Sequence, residues 1–144
     1  MEQTGMKFRG VRGAITADAN TPEAILSAAR QLLQALIEAN EIAEDDVASV
    51  IFTTTGDLTA AYPAKAARDL GWRRTALLGA REMDMDEGIE LCIRVLIHWN
   101  TPKGLDEIVH VYMLGAVALR PDLYPDNRIS LEQQHEGAGS KVQR

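Results

Sequence analysis

The chain has 144 residues, which fits one domain with a sizeable core. A single cysteine, Cys92, excludes an intramolecular disulfide framework and suits a reducing compartment. The formal net charge of −6 argues against the broad basic surface that nucleic acid or an anionic membrane requires, so a small anionic ligand would need a local cluster of arginines.

In chain order, the opening Met1-Glu2-Gln3-Thr4-Gly5 has neither a basic stretch nor an apolar run, so no signal peptide is expected. No apolar run reaches the roughly 18 residues of a membrane-spanning helix, and a cytoplasmic location is expected. Residues 6–16 read as a strand, in which Gly10 and Gly13 permit a bulge or a close backbone approach. Thr21-Pro22-Glu23 is a helix start, with Thr as cap, Pro at the first helical position and an acid in the first turn. Ile25, Leu26, Ala29, Leu32, Leu33, Leu36 and Ile37 then recur at three- and four-residue spacing, which predicts an amphipathic helix ending near Asn40. Glu44-Asp45-Asp46 opens a turn, and the β-branched run over 47–55 predicts a strand broken by Gly56-Asp57.

Residues 63–70 suit a short helix ended by Gly71, and 75–78 a short strand. Residues 91–99 could be helix or strand, and their β-branched content favours strand. Leu91, Ile93, Val95, Ile97 and Trp99 would then share one face, and Cys92, Arg94, Leu96 and His98 the other. A turn over 100–104, a strand over 108–112 and a helical turn over 115–119 complete the reading, with a domain spanning 6–123 and a polar, mobile tail over 124–144. Strands and helices alternate early and strands dominate later, so the expected class is α/β or α+β, a mixed β-sheet with helices packed on it.

No metal signature is present, since His98, His110 and His135 have no partners at ligand spacing. Neither a nucleophile elbow nor a phosphate-binding glycine loop occurs. What remains is arginine. Arg9 and Arg12 lie in the first strand, and Arg94 sits inside the apolar run Cys92-Ile93-Arg94-Val95-Leu96. A cation there must face a carboxylate, an interface or a ligand pocket, because an isolated buried charge is very costly. Glu82 is an available partner, or an ordinary solvated acid. Phe8, Phe52, Trp72 and Trp99 read as packing residues, Met83 and Met85 as gap fillers, Cys92 as a small buried side chain, and Asp57 as a cap for the following helix or turn.

Several separated blocks then point one way. They are Arg9-Gly10-Val11-Arg12-Gly13-Ala14, Asp57-Leu58, Pro63-Ala64-Lys65-Ala66 with Arg68, Glu82-Met83-Asp84, Cys92-Ile93-Arg94-Val95, His110-Val111-Tyr112, and Leu119-Arg120-Pro121-Asp122-Leu123. In this order, across residues 7–123, the sequence resembles the AroH-type chorismate mutases. The resemblance implies an intramolecular isomerase that converts chorismate to prephenate in aromatic amino-acid biosynthesis. It also implies a homotrimer forming a pseudo-α/β barrel, active sites between adjacent subunits and no cofactor.

Carried across by motif, Arg12 would bind a substrate carboxylate, and Arg94 would lie beside the ether oxygen of the breaking bond. Glu82 would accept the ring hydroxyl's hydrogen bond and orient the arginines, and Tyr112 would meet the side-chain carboxylate. Tyr62, Lys65 and Arg68 would close the cleft, Leu78, Gly79, Ala80, Arg81 and Leu119 would line it, and Arg120, near the C-terminal end, would assist closure or electrostatics. Gly79 stands where the family often carries cysteine and Tyr62 where phenylalanine is common, and the segment around Gly71-Trp72 is one residue short. A trimeric small-molecule binding protein or a regulatory subunit on the same scaffold is the alternative, because fold does not fix function.

Overall fold

The structure, a computed structural model, describes residues 5–123. The tail expected over 124–144, and His135 with it, lies outside the described residues. Strand β1 (Lys7–Thr16) leads through a short turn into helix α1 (Pro22–Asn40). Strand β2 (Val47–Thr54), helix α2 (Ala64–Asp69) and strands β3 (Ala76–Arg81), β4 (Cys92–Thr101) and β5 (Val111–Tyr112) follow. They form one mixed sheet in the order β3-β2-β4-β1-β5. The central β4 is antiparallel to both β1 and β2, whereas β3 runs parallel to β2 and β5 parallel to β1.

Helix α1 forms where the apolar spacing predicts. Thr21 Oγ1 accepts the Ala24 amide at 3.1 Å, and Glu41 in the left-handed region, with φ 57°, ends the helix. Its buried stripe, Ile25, Ala29, Leu32, Leu33 and Leu36, packs on the face of the sheet formed by Val11, Ile15, Val50, Phe52, Ile93, Val95 and Ile97. Gly13 makes this approach possible, since a Cβ there would fall 2.9 Å from Leu36 Cδ1 and 2.9 Å from the Val111 carbonyl. Residues of the opposite parity, Arg12, Ile51, Thr53, Arg94, Leu96 and His98, point to the other face, which no α-helix among the described residues covers.

Beyond shifts of a single residue at element ends, several boundaries differ from the sequence expectation. Strand β3 runs on to Arg81 because its backbone pairs with β2 from Ser49 to Thr54, overriding the weak strand preference of Gly79-Ala80. Strand β4 absorbs Asn100 and Thr101 from the expected turn, because they pair with Phe8 and Lys7. Leu91 precedes β4, with φ 52°, and its amide is held at 3.0 Å by Asp57. Asp57 is thus a brace between distant segments rather than a helix cap. Its other oxygen accepts the Thr55 hydroxyl at 2.6 Å, and that hydroxyl accepts the Cys92 amide at 2.9 Å.

The expected strand over 108–112 shortens to two residues because Asn40 takes the backbone that precedes it. Asn40 is fully buried, donates to the Val109 carbonyl at 2.9 Å and accepts the Val109 amide at 2.8 Å. The end of α1 is thereby fastened to the approach to β5. Asn40→Leu would leave both Val109 groups without that partner and is expected to destabilise the fold by about 2–4 kcal/mol in urea unfolding.

Candidate active site

The uncovered face gathers charge at its centre. Arg94 stands on β4 opposite Ala14 of β1 and Thr53 of β2, two small neighbours that leave room for its long side chain. Glu82 follows β3 directly, and its amide continues the ladder by donating to the Thr54 carbonyl at 2.8 Å. Its Oε1 accepts the Thr53 hydroxyl at 2.8 Å and lies 3.7 Å from Arg94 Nε. That last distance makes an ion pair but not a hydrogen bond. Arg94 Nε is buried and, among the described residues, has no hydrogen-bond acceptor. Arg12, Ile51, Thr53, Glu82, Arg94 and Leu96 line an open hollow of about 320 Å³ at this point.

Tyr112 lies between two further cations. The guanidinium carbons of Arg12 and Arg120 are 5.9 and 5.8 Å from its ring centre. Asp122 binds Arg120 with contacts of 2.9 and 2.7 Å. The guanidinium in turn lowers the Asp122 carboxyl to about 2. Leu119 closes this end by packing on the small cluster of Ala14, Cys92, Tyr112 and Ala116. Arg9, by contrast, donates to the Lys103 carbonyl at 3.1 Å and takes no part in this group.

The remaining expected residues stand apart. Tyr62, Gly79, Ala80 and Arg81 line a second hollow of about 440 Å³, together with Phe52 and Thr54. Phe52 and Thr54 point to the face of β2 opposite that of Ile51 and Thr53, so the two hollows open on different sides of the sheet. Lys65 pairs with Asp69 at 3.2 Å on α2, Arg68 sits in that helix's last turn, and Leu78 is exposed on β3. None of these three lines either hollow. A Cβ at Gly79 would meet nothing within 4 Å, so the space where the family often places cysteine is open rather than filled by a neighbour. Sequence reasoning missed Thr53, which anchors Glu82, although its parity with Ile51 on β2 would have placed it on this face.

The family described as Chorismate mutase type I matches residues 8–123. The chorismate mutase AroH of Thermus thermophilus is 52% identical over 116 residues, covering 80% of this chain and 95% of its own length. The chorismate mutase AroH of Bacillus subtilis (strain 168) is 43% identical over 119 residues, 82% of this chain and 94% of its own. This chain belongs to the type I chorismate mutase family. A solved chorismate mutase from Clostridium thermocellum superposes with a TM-score of 0.75 at 45% identity, covering 76% of this chain and 98% of its own. The mixed sheet with α1 and α2 on one face is therefore the fold of a Bacillus-type chorismate mutase. No helix among the described residues is long and apolar enough to cross a membrane.

Cys92 adjoins this candidate site on the same strand as Arg94. It is fully buried, and burial pushes its thiol up, with the nearby Arg94 only partly opposing. A thiol so held forms little thiolate. The folded protein is expected to react with an aromatic disulfide reagent roughly a hundredfold slower than the protein in denaturant. Equal rates in the two states would contradict this placement.

Proposed function

We propose that the chain rearranges chorismate to prephenate in clefts completed by a second copy of itself within a homotrimer. The observation that carries the reading is Arg94, whose Nε is buried in the sheet and meets no acceptor among the described residues. A buried donor left open is rare and calls for a partner, which a ligand oxygen would supply.

The chemistry asks for little else. In chorismate the ether C–O bond breaks as a C–C bond forms within the same molecule, and no proton, electron or group passes to the protein. Two tasks remain. The enolpyruvyl side chain must be held over the ring, and negative charge growing on the ether oxygen must be stabilised. Arg94 Nε would donate to that oxygen. Arg12, beside Tyr112, would take a carboxylate in the bidentate fashion that guanidinium favours. Glu82 would accept the ring hydroxyl's hydrogen bond and offset part of the arginine charge. Tyr112 and Arg120 would complete the anionic subsite, with Leu119 at its edge.

The second copy supplies the other wall. Tyr62, Lys65, Arg68 and Gly79 do not line the Arg94 hollow of their own chain; Tyr62 and Gly79 line the hollow on the opposite side of the sheet, whereas Arg81 reaches a further hollow that Arg94 and Leu119 also line. The uncovered face also leaves Phe8 and Leu78 each 62% exposed, beside half-buried Ile51 and Leu96. Such an apolar sheet face is suited to pairing with another copy. Cyclic closure of a head-to-tail contact would then give each cleft Arg12, Glu82 and Arg94 from one subunit and Tyr62 and Arg68 from the next.

Arg94→Ala is expected to lower kcat by roughly a hundred- to a thousandfold, about 3–4 kcal/mol, with little change in melting temperature. Arg94→Lys should recover only a small part of this, because lysine keeps the charge but not the fixed fork. Both are read from the ultraviolet loss of chorismate, and near-wild-type turnover in a folded Arg94→Ala protein would defeat the reading.

Sharing of the site is tested by complementation. Arg94→Ala and Arg68→Ala chains, refolded together in equal amounts, should regain about a quarter of wild-type sites, because a cleft drawing each arginine from a different subunit is intact in that share of pairings. No gain over the separate variants would place both arginines in one subunit's site.

A further inference from the structure

His110 has no place in the chemistry above, yet it touches the strand that carries Arg12. The Arg12 backbone amide donates to His110 Nδ1 at 3.1 Å. Strand β5 pairs with β1 only at Gly13–Val111 and Ala14–Tyr112. One step earlier the ladder would need a backbone acceptor, but both polar backbone groups of Val109 are taken by Asn40. The imidazole ring of His110 supplies the missing rung.

We propose that neutral His110 is a positioning residue for Arg12: its Nδ1 fixes the edge of β1 from which Arg12 reaches the substrate carboxylate, and protonation of the ring releases that edge. This rests on the reading of Arg12 as a carboxylate ligand.

Acceptance at Nδ1 requires the ring to be neutral with its hydrogen on Nε2. The surroundings favour that state. Burial, and then Arg120 and Arg12, hold the His110 pKa below its ordinary value. Arg12 faces it from β1 and Arg120 from beyond the 3₁₀ segment Leu114–Leu119, while Tyr112, two residues further along the chain, stands between those two cations. The carboxylate beside Arg120, Asp122, is bound to that arginine. A proton on His110 would remove the acceptor for the Arg12 amide and add a third cation. The rung is therefore complete above the ordinary imidazole value and is lost as pH falls through the lowered one.

The test is steady-state kinetics with chorismate on the full chain, from about pH 8 to about pH 5. Wild type, His110→Leu, His110→Asn and Arg12→Ala are compared. His110→Leu is expected to raise KM about tenfold at neutral pH while kcat stays within about twofold, the pattern of lost uniform binding. Wild-type KM should climb similarly as pH falls through the lowered imidazole value. His110→Asn, whose amide oxygen can occupy the Nδ1 position, should restore most of the loss and show no such climb. An unchanged KM in His110→Leu, or a wild-type climb that persists in His110→Asn, overturns the proposal.

Arg12→Ala separates the two readings. If it leaves KM unchanged, Arg12 is not the carboxylate ligand. If it raises KM while folded His110→Leu does not, only the positioning role fails. Should His110→Leu not fold, nitrogen-15 NMR of the wild-type protein decides. The hydrogen on Nε2, with the Arg12 amide shifting as His110 titrates, upholds the proposal. The hydrogen on Nδ1 overturns it.

Discussion

A guanidinium held inside a β-sheet is the constraint around which this fold is arranged. Taking a cation out of water is costly unless charge and hydrogen bonds compensate it, and arginine cannot escape by losing its proton. Arg94 is only 21% exposed, and Glu82, the carboxylate beside it, is 25% exposed. The pair keeps enough contact with solvent to be tolerated in the free protein. The cost is carried by the opposite face of the same strand. There Ile93, Val95 and Ile97 are buried beneath α1, and burying such side chains contributes roughly 1.5–3 kcal/mol each. One strand thus presents an anchoring face and a charged face, and strand periodicity keeps them apart.

The surrounding charge is arranged with the same economy. Arg12, Arg94 and Arg120 gather on or beside one face of a chain whose formal charge is −6. Glu82 and Asp122 partly balance them. The cluster still holds three cations against two carboxylates, so it suits an anion where the protein as a whole does not. Such a field is local, because over about 8 Å at physiological salt the remainder of the protein is screened. The positive site is also mounted on strands rather than long loops, which holds its geometry more closely.

Much of this was legible in the sequence, for identifiable reasons. Thr21-Pro22 and the apolar spacing of α1 are local signals, and the helix runs as they indicate. The alternation through β4 placed Arg94 away from the core, and the separated motif blocks identified the family. What escaped depended on contacts far apart in the chain. Residues 79–81 are poor strand formers alone and become a strand because β2 lies beside them. Asn40 and Asp57 read as ordinary helix-end and turn residues, but they bind Val109 and Leu91, 69 and 34 residues away. The site residues divided in the same manner. Their blocks could be read in order, but their separation onto two faces of one sheet follows only from the pairing of β2 with β3 and β4.

Thr53 shows how such an unnoticed residue can set the geometry of the Arg94–Glu82 pair. Glu82 Oε1 lies 3.7 Å from Arg94 Nε, and a free carboxylate at that distance would move in to make a short, charge-assisted bond. It does not, because the same oxygen is held at 2.8 Å by the Thr53 hydroxyl while the Glu82 backbone is tied to Thr54. A side chain anchored at both ends cannot close the last ångström. Glu82 therefore lowers the electrostatic cost of the buried cation without consuming its donor. Arg94 is thus neutralised enough to be folded into a sheet and keeps a donor open for the oxygen that the proposed reaction would charge. A donor fixed in advance need not reorganise when that charge appears, and this is the condition under which a single hydrogen bond contributes most to a rate.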